Sequence, residues 1–219
     1  MVTFEDIKTS KEISTYINKG NELLGEMGFT EHGFAHAEKT ARKAAEILNL
    51  LGYDERTIDL VRISGYMHDI GNCINRFDHA QSGAVMAFRI LDHMGMPPDE
   101  VADVIGAIGN HDEGTGFAFS PISAALILAD KSDVRRSRVR SRDGSMSDIH
   151  DRVNFAVHQS ELIVSAESKE IILNLDIDTK ISAVMEYFEI FLSRMKMCRK
   201  AAEYLDLTFE LNINNLRLL

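Results

Sequence analysis

The stretch Gly65-Tyr-Met-His-Asp-Ile-Gly-Asn72 sets an adjacent His68–Asp69 pair inside an otherwise apolar, helix-like run. Burying an imidazole or a carboxylate without a partner costs on the order of several kcal/mol, so Met67 and Ile70 are unusual neighbours for both. A metal ion is one partner that would offset this cost; an ordinary helix end closed by Gly71 is the alternative. The helix leading to the pair begins near Asp54 or Glu55 and carries Ile58, Val61, Ile63 and Met67 on its inner face.

On the N-terminal side, Phe4, Ile7, Ile13, Ile17, Leu23 and Leu24 fall at the intervals of one or two amphipathic helices ended by Gly28. His36 opens the next helical pattern, on the apolar face with Thr40, Ala44, Ile47 and Leu51, while Glu38, Lys39, Arg42, Lys43 and Glu46 take the wet side. On the C-terminal side, Phe77-Asp-His79 leads into a helix from about Ala80 to Met94, with Val85, Phe88 and Leu91 expected inward. After Pro97 and Pro98 a helix from Asp99 to His111 stops in the Gly-rich turn His111-Asp-Glu-Gly-Thr-Gly116. Pro121 starts a strongly apolar helix, Ile122 to Ala129, which ends at Asp130-Lys131. Lys131, Arg135, Arg136, Arg138, Arg140 and Arg142 then form a basic run against Asp133.

Near Arg152 the period changes. Val153, Phe155 and Val157, then Leu162 and Val164, then Ile171, Leu173, Leu175 and Ile177 alternate with polar residues, the spacing of half-buried strands. A long amphipathic helix follows from about Thr179 to Leu205, with Ile181, Val184, Met185, Phe188, Leu192 and Met195 inward, and Thr208 to Ile213 reads as one more strand. The expected architecture is mainly α: a helical body over residues 1–150 and a small α/β appendage over 151–219. Met27, Met86, Met94, Met185, Met195 and Met197 read as gap-filling core residues.

Composition narrows the function classes. The 219 residues are 45% hydrophobic and 26% charged, ordinary for a folded globular chain. A formal net charge of −10 disfavours general nucleic-acid binding and adsorption to anionic membrane, which rely on Lys and Arg, but leaves room for a small phosphorylated ligand. Cys73 and Cys198, the only cysteines, form neither metal-like spacing nor a disulfide framework, which fits a reducing compartment. The N-terminus lacks the pattern of a signal peptide and no apolar run approaches a membrane span, so a cytoplasmic location is expected.

His36, His68, Asp69, His79, His111 and Asp130 all fall at helix ends or on inward faces. Four imidazoles and two carboxylates suit one or two transition-metal ions, with mixed nitrogen and oxygen ligands favouring Mn, Fe, Co, Ni or Zn over magnesium. The order His36, His68–Asp69, Asp130 resembles the signature of the HD superfamily of metal-dependent phosphohydrolases, and His68-Asp-Ile-Gly71 is similar to its HDIG form. The resemblance spans roughly residues 30 to 142 and implies a helical bundle in which His36, His68, Asp69 and Asp130 bind a divalent metal. His79 and His111 stand where the two-metal subset has its further histidines. Ala129-Asp-Lys131 with its trailing arginines looks like a segment of a bacterial branch that cleaves dinucleoside tetraphosphates. The chain departs from a frequent form of the motif at Asn72, where lysine often stands.

The resemblance implies a cytoplasmic phosphohydrolase that cleaves a phosphoester or phosphoanhydride of a nucleotide or related small molecule, using a water activated on the metal. Asp69 would bridge two divalent ions, one held by His36, His68 and Asp130 and the other by His79 and His111. Lys131, with Arg135 or Arg136, would contact substrate phosphate, and Asp112 or Glu113 could assist proton transfer. The rival expectations are a di-iron oxygenase of the same superfamily and a metal-binding regulatory module, with the C-terminal part mediating association such as a homodimer.

Overall fold

The computed structural model describes residues 1–140 and 148–219. Arg142, the last member of the basic run, lies outside the described residues.

Helix starts follow local capping. The helices α1 (Phe4–Thr9) and α2 (Lys11–Glu26) begin at Thr3 and Ser10, whose side chains accept from the amides of Asp6 and Ile13. Next come α3 (Phe34–Leu50) and α4 (Glu55–Met67), the latter started by Asp54, which accepts from the amides of Arg56 and Thr57. A 3-10 turn, Ile70–Cys73, separates α4 from α5 (His79–His93). Then follow α6 (Pro98–Gly109) and α7 (Pro121–Lys131), with α7 opened by a Ser120–Ser123 capping box and Pro121 in its first turn. Every residue of α7 from Ile122 to Ala129 is buried, as expected of a helix apolar on all sides at the centre of a bundle. It packs against α3, α4 and α6.

The C-terminal part contains α8 (Ile149–Ala156), β1 (Val157–Ser165), β2 (Glu170–Ile177), α9 (Val184–Tyr204), β3 (Thr208–Ile213) and β4 (Leu216–Arg217). The four strands form one sheet in sequence order. β1 and β2 are antiparallel with Leu162 opposite Leu173, β2 and β3 are parallel with Leu173 opposite Leu211, and β4 returns antiparallel to β3. The parallel pair requires a crossover, and α9 supplies it. α9 packs against β3 and also against α7, tying the sheet to the bundle's central helix. Among the described residues no helix is long and apolar enough to cross a membrane.

The structure departs from the sequence expectations in three places. Val153 and Phe155 lie in α8, because Asp148 caps a helix start by accepting from the amides of His150 and Asp151. Phe155, half-buried there, takes the Arg136 guanidinium 4.4 Å from its ring centroid. Val85 and Phe88 are exposed; the inner face of α5 is instead Ala80, Gly83, Ala87, Ile90 and Leu91. Small residues are needed there, since a Cβ on Gly83 would stand 3.2 Å from the Gly71 amide nitrogen in the 3-10 turn. Met27, Met185 and Leu192 are exposed rather than core, whereas Met195 and Met197 are buried.

The α3–α4 contact fixes the spacing between His36 and His68. A methyl at Gly65 would stand 2.7 Å from the Ala41 Cα, so the two helices meet backbone to backbone. Gly65→Ala is expected to cost about 1–3 kcal/mol, measured as a lowered denaturant midpoint; an unchanged midpoint would mean that α3 and α4 can separate freely.

Candidate metal centre

Helix ends deliver the six sequence-selected residues to one place. His36 sits in the first turn of α3, His68 and Asp69 directly follow α4, His79 is the first residue of α5, His111 follows α6, and Asp130 is in the last turn of α7. Gly71 lets α5 approach: a Cβ there would lie 2.0 Å from the His79 carbonyl oxygen. All four histidines are buried.

The distances sort the residues into two groups around Asp69. His36 Nε2 and His68 Nε2 lie 3.2 Å apart. Asp130 Oδ1 is 3.2 Å from the first and 3.6 Å from the second, and Asp69 Oδ2 is 3.7 and 3.3 Å from the same atoms. The other carboxylate oxygen, Asp69 Oδ1, faces His79 Nε2 at 3.4 Å and His111 Nε2 at 3.9 Å, which are themselves 3.2 Å apart. Two sets, His36–His68–Asp130 and His68–Asp69–His111, have ligand atoms close enough together to hold an ion.

The outer nitrogens explain why these inner atoms demand a cation. His36 Nδ1 donates to Asp133 Oδ2 at 2.8 Å, and Nδ1 of His68, His79 and His111 donates to the carbonyls of Gly65, Arg76 and Ile108 at 2.8, 3.0 and 2.6 Å. With the proton fixed on Nδ1, every neutral ring presents an Nε2 lone pair inward. Facing lone pairs about 3 Å apart repel unless a positive charge joins them. Asp69 Oδ2 adds a buried oxygen that has no hydrogen bond among the described residues, with His68 Nε2 3.3 Å away. The donor set therefore fits a divalent ion with mixed nitrogen and oxygen ligands. In the second group Arg76 supplies part of the charge, with Nη1 3.2 Å from His79 Nε2 and 4.0 Å from Asp69 Oδ1.

The titration behaviour has the same origin. Burial alone would depress His68, but the Asp69 and Asp130 carboxylates outweigh it and push it up to about 10. Burial would raise both carboxylates, yet His68 beside Asp69, and Lys131 with the imidazoles beside Asp130, hold them well below the usual range. His79 and His111 are lowered, chiefly by burial, and so favour the neutral, ligating form.

The supporting partners of these residues are set by the fold. Asp133, buried, carries His36 on Oδ2 and is neutralised on Oδ1 by Lys39 at 2.7 Å and Arg135 at 2.9 Å. Asn72, where the motif departs from lysine, donates to Asp69 Oδ1 at 2.9 Å and so orients the central carboxylate. Lys131 lies between Asp130 Oδ2 at 2.8 Å and Glu113 Oε2 at 2.7 Å, while Arg194 of α9 donates to Glu113 Oε1 at 2.8 Å. Against burial, these cations hold Glu113 far below the usual carboxylate range, so it is an anchored anion and not a poised base. Arg135 and Arg136, expected on substrate phosphate, do not line the cavity over the ligands. Arg135 is bound to Asp133 and Glu31, and Arg136 donates to the Phe155 carbonyl. The cations that line it are Arg76, Lys131, Arg138 and Arg194.

Asp133→Asn keeps the shape but removes the acceptor charge behind His36. It is expected to weaken divalent-ion retention by about 10–100-fold, read by chelator competition; unchanged affinity would reduce Asp133 to a counter-ion for Lys39 and Arg135.

Three comparisons relate the chain to known proteins. Residues 33–153 match the family model described as HD domain. An uncharacterized protein of Methanocaldococcus jannaschii is 24% identical over 159 residues, 63% of this chain, and the chain spans 61% of that protein's length. The crystal structure of a predicted HD superfamily hydrolase from an uncultured Thermotogales bacterium shares 26% identity, covering 62% of this chain and 75% of that one at a TM-score of 0.45. The family match runs over more than half of the sequence, from the Gly33 cap of α3 into α8, and the chain belongs to the HD domain family.

Proposed function

We propose that the chain is a metal-dependent phosphohydrolase acting on a nucleotide or a related small phosphoester, with two divalent transition-metal ions. One observation carries the reading: the Nε2 atoms of His36, His68, His79 and His111 converge on the two oxygens of the Asp69 carboxylate, beside a cavity whose lining includes Arg76, Lys131, Arg138 and Arg194. His36, His68, Asp130 and Asp69 Oδ2 would hold one ion. His79, His111 and Asp69 Oδ1 would hold the other, with the Arg76 guanidinium giving way. Such ions, when bound, lower the pKa of a coordinated water from about 15.7 toward 7 and neutralise phosphoryl charge.

The chain's own residues supply the rest. Lys131 is ion-paired with Asp130 and Glu113 at 2.8 and 2.7 Å and lines the cavity, where its ammonium is placed to meet a phosphoryl oxygen. Its pKa is raised, because the two carboxylates outweigh the burial that would lower it, so the charge is permanent at neutral pH. Arg76, Arg138 and Arg194 add positive charge on the remaining sides, where burial makes each charge count for more than in water. With Glu113 locked in ion pairs, Asp112, 4.0 Å from His79 Nε2 and partly exposed, is the acid placed to carry a proton to solvent.

Asp69→Ala should abolish both metal retention and phosphate release while the far-ultraviolet spectrum of the helices is preserved; full metal content and turnover in the variant would overturn the site. Oxygen uptake without phosphate release would instead favour the oxygenase. Affinity for a divalent ion should rise with pH by up to about tenfold per unit across neutrality, because His68, protonated below a pKa of about 10, must release its proton to ligate. Calorimetry in buffers of different ionisation enthalpy would count that proton, and a pH-independent affinity would contradict it.

A further inference from the structure

We propose that the chamber beside the metal centre selects phosphomonoesters whose organic part carries hydrogen-bond donors or a positive charge, with the phosphate on Arg76, Arg138 and Arg194 and the organic part on Asp151. This rests on the phosphohydrolase reading of the centre and goes beyond it by assigning a polarity to the substrate.

The chamber has a volume of about 380 Å3. That is near the lower end for small-molecule pockets, and fits one compact organic group better than a second nucleotide. His32, Arg76, Arg138 and Arg194 line both this chamber and the metal cavity, and so form the passage between them. The guanidiniums are braced in advance. Arg138 donates to the carbonyls of Glu31 and Asp133 at 2.9 and 2.8 Å, and Arg194 lies 4.6 Å over the Phe191 ring while its Nε holds Glu113. Arg76 lies 5.8 Å over the ring of Phe29. Three planar cations at the inner end match the oxygens of one phosphate group.

The outer end has the opposite chemistry. It is made by the start of α8, where Asp151 and Asn154 line the chamber. Asp151 is half-buried, and among the described residues its carboxylate makes no hydrogen bond or ion pair. Burial, and then Asp148, push its pKa up and outweigh His150 and Arg140, which pull it down. Asn154 gives one N–H of its amide to the His150 carbonyl at 2.9 Å, and among the described residues its oxygen accepts no hydrogen bond. A bound molecule thus meets guanidiniums at one end and, beside His150, the Asp151 carboxylate at the other. An ammonium or amino group satisfies the acceptors, whereas a second anionic group is placed against Asp148 and Asp151 and is repelled. The competing explanation is that both aspartates serve only the start of α8, where acidic residues are favoured by the helix dipole.

Three esters of similar size separate the two: 2-aminoethyl phosphate, ethyl phosphate and carboxymethyl phosphate, offered to the metal-loaded full chain. Binding is measured by calorimetry and turnover by phosphate release. The aminoethyl ester is expected to bind at least about tenfold more tightly than the carboxymethyl ester. Asp151→Asn should collapse most of that ratio, and Arg194→Gln should weaken all three esters alike without changing it. The proposal is overturned if the ratio is absent, if it survives Asp151→Asn, or if none of the esters binds. Ordered binding without phosphate release would retain the chamber and remove the hydrolase reading; phosphate release from all three without the order would do the reverse.

Discussion

A histidine ring can hold an ion only if something else turns it, and in this protein that constraint organises the whole bundle. Three of the four inward rings are turned by main-chain carbonyls, those of Gly65, Arg76 and Ile108. Two of these lie in the last turns of α4 and α6, where helical carbonyls lack an intrahelical partner. The carbonyl ends of the bundle's helices thus become the fixtures of the centre. The backbone approaches allowed by Gly65 and Gly71 are what bring those ends together.

The fourth ring is handled differently. His36 stands at a helix start, where the free groups are N–H donors and no carbonyl is available, so a side chain has to accept from it. Asp133 does so, and a buried carboxylate in turn requires Lys39, Arg135 and Arg138 around it. The basic run after α7 therefore has a clear cause. Much of it balances acids behind the centre, and the cations that face the cavity come from four separate segments.

The helical period and the helix-end signals carried much of the fold and the candidate residues. His36, His68, Asp69, His79, His111 and Asp130 stand out because polar groups interrupt apolar faces at helix termini, a local property of the chain. Their supports are not local. Asp133 meets His36 across 97 residues, and Arg194 meets Glu113 across 81, with nothing in either local pattern to mark them. Arg76 lies in an irregular turn, where no periodicity says which way a side chain points. Val153 and Phe155 misled because two alternate apolar residues are too short a run to fix a period, and the Asp148 cap starts a helix there. Val85 and Phe88 misled because α5 lies so close to the 3-10 turn that only small side chains fit between them.

The position of α9 has a consequence for the order in which the protein becomes competent. All six inward residues have been synthesised once Asp130 is added, yet Glu113 gains its second cation, after Lys131, only when Arg194 docks from the crossover between β2 and β3. A nascent chain therefore carries the metal-binding residues long before it carries the charge balance of the finished cavity. Translation itself delays completion of the centre until the parallel strands can pair.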